Sequence, residues 1–183
     1  MDYIFLTGLA GSIVLVTGAA CPEKKRARPT PPVKSFKNWL LAIGGFIMML
    51  YAVLGYVAGG SIFFVFLQSL IIIASILMML NIKDIIDTAI ISVCALVLAI
   101  WSLTLFEGIE TVLFVIGLSA VGLGYAFNAG TLRRNAALMT GSGFVAVFSY
   151  LQANWIFFWV NAIFAVFSAY YLAKELASKK TQP

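Results

Sequence analysis

Seven long apolar runs divide the chain, at residues 3–20, 38–58, 61–81, 85–106, 111–128, 134–151 and 154–174. Each is close to the roughly 17–25 residues that a helix needs to cross about 30 Å of hydrocarbon. The second and third runs meet without a charge between them, but Gly59-Gly60 in "YVAGGSIFF" supplies a turn signal. The longest interruption is "CPEKKRARPTPPVKSFK", residues 21–37, which holds four of the five prolines and six cations. That composition predicts an extended, solvated loop, placed to rest near anionic headgroups. The other connections are short, so successive helices are expected to be antiparallel neighbours. The pattern predicts an all-α polytopic membrane protein of seven transmembrane helices.

Composition agrees. Hydrophobic residues make up 62% of the 183, charged residues 10%, and the mean hydropathy is +1.03. Too few polar side chains remain to cover the surface of a water-soluble domain. The charges then test the helix count, because lysine and arginine collect on the cytoplasmic side of membrane segments. With seven crossings and the N-terminus outside, the inner segments are 21–37, 82–84, 129–133 and 175–183. All 12 lysines and arginines lie in these segments or at the helix ends that border them. Asp2, Glu107 and Glu110 fall outside. The net charge of +5 is therefore a topology signal and not a nucleic-acid surface. The expected location is a prokaryotic inner (plasma) membrane, with the lipid bilayer as partner. A signal peptide has its cations before the apolar stretch; here Asp2 precedes it and "PEKKRAR" follows. Cys21 and Cys94 lie at different depths, so free thiols are expected.

A shift of 94 residues lays "YVAGGSIFF" (56–64) over "YLQANWIFF" (150–158), with Tyr56 on Tyr150 and Ile62-Phe63-Phe64 on Ile156-Phe157-Phe158. A shift of 109 lays "FLTGL" (5–9) over "FVIGL" (114–118). The extra length matches the basic linker. The chain therefore reads as a 3+1+3 parallel repeat: a three-helix unit, 1–81, a linker helix, 85–106, a second unit, 111–174, and a short basic tail, 175–183. Parallel repeats related by an axis along the membrane normal place a solute site at their interface.

The candidate chemistry is sparse. There is no histidine, and no acid or base lies in the middle of a run. Proton relays and ion-coupled pumps use intramembrane ionisable groups, and hydrolytic or metal chemistry needs ligands and bases that are missing. No enzyme, cofactor or metal is expected. What remains is one amide on the third helix of each unit. Gln68 has Ser61 and Ser75 seven residues to either side, and Asn161 shares a face with Ala165 and Ser168. An amide offers two donors and an acceptor. It serves equally as a solute contact or as interhelical glue. Trp159 and Tyr150 complete the candidate substrate contacts, Gln68, Ser75, Asn161 and Ser168. Trp155 reads as an interface belt residue. Tyr125 and Asn128, three apart, are inner gate candidates, and Asn128 equally suits a helix C-cap. Small residues at Gly8, Ser12, Ala120, Gly124 and the "GSG" of 141–143 suit close helix packing.

Seven spans as 3+1+3, with Gln68, Asn161 and the paired "YVAGGSIFF" and "YLQANWIFF", resemble the SWEET, PQ-loop and PnuC group of small-solute transporters. The stretch "VIGLSAVGLGYAFNAGTLRR" with "VNAIFAVFSAYYL" is also similar to YgjV-type bacterial inner-membrane proteins. The resemblance implies a central solute site and two units that rock against each other, with Asn161 and Gln68 in contact with the solute. Two features depart from the group: all five prolines lie outside the runs, and the Pro-Gln pair of PQ-loop proteins is absent. The expected function is facilitated passage of a small neutral or polar solute, of the sugar, nucleoside or vitamin-precursor class, without proton coupling. The alternative is a non-transporting subunit or scaffold of a larger membrane complex. A homo-oligomer fits either reading.

Overall fold

In a computed structural model, which describes residues 3–21, 32–80, 82–127 and 131–180, the seven runs become seven α-helices. They are α1 Tyr3–Ala20, α2 Phe36–Val57, α3 Phe63–Leu80, α4 Asp84–Thr104, α5 Ile109–Ala126, α6 Leu132–Leu151 and α7 Trp155–Lys180. A 3-10 turn, Pro32–Lys34, precedes α2. Many of these residues are β-branched or aromatic and are middling helix formers in water. In hydrocarbon every backbone N–H and C=O must bond within the segment, and the helix is the local way to do so.

Six of the helices are long and apolar enough to cross a membrane; α6 is the exception. Its first turn carries Arg133, Arg134 and Asn135, and Thr140, Gly141, Ser142 and Gly143 interrupt its middle. It nevertheless packs along both α5 and α7. Boundaries moved where side chains cap the helix. Ser35 starts α2 by accepting from Asn38 N at 3.5 Å, so α2 begins earlier than its apolar run. At the other end of the chain, α7 continues past Lys174 to Lys180, because "AKELASKK" is rich in good helix formers. Ser61 is not on α3: it precedes the helix, and its hydroxyl accepts from Phe63 N at 3.3 Å. The expected Ser61–Gln68–Ser75 face therefore reduces to Gln68 and Ser75.

The chain forms two compact units, Met1–Asp87 and Thr88–Pro183. In the first, α1 packs on α2 and α2 on α3; in the second, α5 packs on α6 and α6 on α7. Large apolar side chains such as Phe63, Leu67, Phe114 and Phe148 are fully buried, but α2 reverses the water-soluble pattern. On α2 the buried positions are Ala42, Gly44, Gly45, Met48 and Ala52, while Phe36, Trp39, Ile43, Phe46 and Leu50 are exposed. Lipid is as apolar as the interior, so close backbone approach by small residues replaces hydrophobic burial as the packing principle.

The two units solve their closest approaches in mirror fashion. A Cβ at Gly44 would stand 2.7 Å from Leu15 N, and one at Gly124 would stand 2.6 Å from Leu138 Cγ. The 94-residue shift carries Gly44 to Leu138, and the 109-residue shift carries Leu15 to Gly124. The same crossing is built from one leucine and one glycine, with the partners exchanged.

The turns before α3 and α7 also coincide. Ala58 N, Gly59 N and Gly60 N donate to Leu54 O, Tyr56 O and Gly55 O, at 3.1, 2.9 and 2.9 Å. Shifted by 94, Gln152 N, Ala153 N and Asn154 N donate to Phe148 O, Tyr150 O and Ser149 O, at 3.0, 3.0 and 2.9 Å. Both are Schellman-type helix ends, which need a left-handed residue. Gly59 takes it at φ 93°; Ala153 takes it at φ 51°, which costs an alanine about 1–2 kcal/mol.

Gly44→Ala is expected to lower stability by about 1–3 kcal/mol, because the added methyl meets the Leu15 backbone. Gly143→Ala, whose Cβ would meet nothing within 4 Å, is expected to be neutral or to gain up to about 1 kcal/mol from helix propensity. Thermal unfolding of both variants in one detergent checks the contrast.

Candidate functional site

The two amides stand at similar distances along their own helices. Gln68 is five residues into α3 and Asn161 six residues into α7. At 1.5 Å per residue they lie about 8 and 9 Å along their helices. Each follows one of the two matching turns. Gln68 is 2% exposed and Asn161 7%.

Their hydrogen bonding differs. Asn161 Nδ2 donates to Phe157 O, one turn back in its own helix, at 2.8 Å. Other polar side chains do the same: Ser75 Oγ donates to Ile71 O at 2.8 Å, Ser102 to Leu98 O at 2.7 Å and Ser149 to Val145 O at 2.7 Å. Back-bonding onto a carbonyl is available to any short donor on a helix. An acceptor has no such recourse, since the helix interior presents carbonyls and not free N–H groups. Gln68 Oε1 is accordingly buried without a hydrogen-bond partner. Among the described residues only Asp87 Oδ1 shares that condition.

The remaining candidates separate into faces. Ser75 and Ser168 are each 8% exposed, seven residues from Gln68 and Asn161 and on the same faces. Trp159 is 60% exposed. Two positions before Asn161, it points some 200° around the helix from it, so the indole and the amide are not on one face of α7. Tyr150 is exposed too. It joins Trp155 and Phe158 in a three-ring cluster with centroids 5.6, 5.9 and 6.0 Å apart, and Phe158 leads on to Trp159 at 5.0 Å. Edge-on aromatic clusters with exposed Trp and Tyr suit a membrane–water interface.

At the other end of the second unit, the Arg134 guanidinium lies 5.7 Å over the Tyr125 ring. Its Nη1 donates to Phe127 O at 3.3 Å, and Thr88 Oγ1 donates to Ala126 O at 2.9 Å. Side chains from α4 and α6 thus close the C-terminal carbonyls of α5. Asn135 Nδ2 reaches Glu175 Oε2 at 3.4 Å, tying α6 to α7. At the opposite end Gln152 Nε2 donates to Glu110 Oε2. The gate candidate Tyr125 is therefore held under Arg134. Its proposed companion Asn128 lies outside the described residues, as do the linker cations Lys24, Lys25, Arg26 and Arg28. The sequence reading passed over these clasps. Their one local signal is the pair Arg133-Arg134 in a helix first turn, where the dipole disfavours cations.

No cluster of three or more His, Cys, Asp or Glu that could hold a metal occurs among the described residues. No family model matches the chain, and neither a curated protein nor a solved structure matches it.

Gln68→Met keeps the length of the side chain and removes the unpartnered oxygen. With no solute present it is expected to raise stability by about 1–3 kcal/mol, the desolvation cost of a buried unpaired group. Thermal unfolding of the solute-free protein reads this out; an unchanged or lower midpoint would mean that the oxygen is already satisfied.

Proposed function

We propose that the chain is a membrane facilitator for a small uncharged solute carrying a hydrogen-bond donor, of the sugar, nucleoside or vitamin-precursor class. The observation that carries the reading is Gln68 Oε1, buried in a helix of span length with nothing to accept from. An unsatisfied polar group in hydrocarbon costs several kcal/mol. A solute N–H or O–H would remove that cost only while bound, so the site favours donors. With no cation in the middle of any helix, nothing balances a solute carboxylate or phosphate. Asn161, the other expected solute contact, would have to exchange its bond to Phe157 O for one to solute.

The same reading has all seven helices crossing in a 3+1+3 parallel repeat, with the N-terminus outside and the C-terminus inside a prokaryotic inner membrane. It is supported by the matching turns, by the exchanged glycine–leucine crossings, and by the gathering of lysine and arginine at alternate connections. That α6 packs along both α5 and α7 favours its crossing with them despite its polarity.

In proteoliposomes supplied externally with a panel of polyols, nucleosides and amide-bearing vitamin precursors, uptake of at least one is expected, and a protonophore should leave its rate unchanged. Gln68→Met is expected to cut that uptake at least tenfold while the protein becomes more stable, a combination that misfolding cannot produce. Asn161→Ala should also lower uptake; full activity would return Asn161 to a packing role. Separately, reporter fusions after Pro183 are expected to be active only with a cytoplasm-dependent enzyme, and a periplasm-dependent signal there would invert the orientation.

A further inference from the structure

The corners that lead into α3 and α7 share their backbone bonds but not their side chains. The 94-residue shift sets Ser149, Gln152, Ala153, Asn154 and Trp155 over Gly55, Ala58, Gly59, Gly60 and Ser61. In the second unit all but Ala153 fasten the corner. Ser149 Oγ donates to Val145 O at 2.7 Å, and Gln152 Nε2 donates to Glu110 Oε2. Asn154 Oδ1 accepts from Phe157 N at 3.2 Å, and the Trp155 ring lies across the turn from Tyr150 at 5.6 Å. Of the five residues in the first unit, only Ser61 has a side chain that can hydrogen-bond; it accepts from Phe63 N at 3.3 Å. A Cβ at Gly55 or at Gly59 would meet nothing within 4 Å, so packing does not hold this corner either.

Beyond the corner, the seat of α3 on α2 is slack where other helix crossings are tight. A Cβ at Gly11 of α1 would stand 3.0 Å from Met48 N, and one at Gly141 of α6 would stand 2.6 Å from Val121 N. Gly45 is buried on α2. Its Cβ would stand 3.9 Å from Ile72 Cγ1 and 4.0 Å from Ile71 Cγ2, both on α3. These are ordinary contact distances, so the seat has room for a methyl group. The same helix carries Gln68 Oε1, buried without a partner. A native structure seldom leaves such a group without a reason.

We infer that α3 is a hinged helix. It swings on α2 about Gly55, Gly59 and Gly60 between two packed positions, while side chains at its corner fix α7. Glycine absorbs a change of φ and ψ at the least steric cost, and hinges fall at element ends. Packed elements of this kind switch between discrete arrangements and do not deform continuously. The unpaired oxygen destabilises the present position and so keeps the second one populated. About 27 Å of helix follows the hinge, so a swing of about 10° moves its far end by about 5 Å. The inference goes beyond the solute reading and does not rest on it, because it concerns the protein without solute.

The test measures spin-label distances in the full chain in phosphatidylcholine vesicles, on a Cys21→Ala, Cys94→Ala background. Phe36→Cys with Leu80→Cys spans α2 and α3; Arg133→Cys with Ala173→Cys spans α6 and α7. All four positions are exposed. The first pair is expected to give two distances separated by about 5 Å, and the second pair a single one. Gly55→Ser with Gly59→Ala carries the second unit's residues into the first corner. It should lower the minor population roughly tenfold, the effect of restricting two glycines. Gly45→Ala fills the seat without a clash and should do the same, which keeps the test decisive if the corner variant does not fold. Gly143→Ala, an equally open glycine away from the corner, should leave both distances in place. A single distance for the first pair overturns the inference. So do two distances for the second pair, or a second distance that survives in any folded variant of the corner or the seat.

Discussion

Everything in this protein depends on how its helices approach one another when burial in water is not the driving force. Lipid chains solvate leucine as well as a protein interior does, so apolar side chains gain little by turning inward. What remains is contact between backbones and the satisfaction of polar groups. Leu15 against Gly44 and Gly124 against Leu138 are that contact in its plainest form: one helix supplies bulk and the other removes its side chain. The large residues of α2 are left facing outward, an arrangement that would be unstable in water.

The same constraint makes polar bookkeeping informative. A hydroxyl or amide donor inside an apolar helix reaches the carbonyl four residues back, as Ser75, Ser149 and Asn161 do. Such residues are chemically quiet until a better acceptor competes. A lone acceptor oxygen has no local remedy, and among the described residues only Gln68 Oε1 and Asp87 Oδ1 are buried without a partner. The two amides look interchangeable along the chain. Their hydrogen bonds separate them: Gln68 is the open group and Asn161 the closed one.

Much of the architecture was legible beforehand because hydrophobic length is a one-dimensional property. The seven runs agree with the seven helices to within a few residues, apart from the extension of α7. The discrepancies arose where a cap or helix-forming tail outweighed apolarity, as at Ser35 and after Lys174. The 94-residue shift rested on a few identities. The turns it pairs have the same three backbone bonds, although one uses glycine and the other alanine at the left-handed position. The candidate contacts were less legible. Ser61 dropped off its helix, because residue type does not say where a helix begins; the two-residue spacing already sets Trp159 about 200° from Asn161, and only the structure shows which of those sides is exposed.

By itself the sequence determined that the chain is helical and made for a bilayer. Apolar length, the placement of prolines and the segregation of lysine and arginine are all read residue by residue. Only the tertiary structure decided which glycine receives which leucine and that Arg134 closes the end of α5 over Tyr125. It alone decided that one buried amide is satisfied while the other is not. Those outcomes depend on distances of a few ångströms between residues far apart in the chain. Composition averages over such distances, and in a membrane interior they carry most of the energy that tells one packing from another.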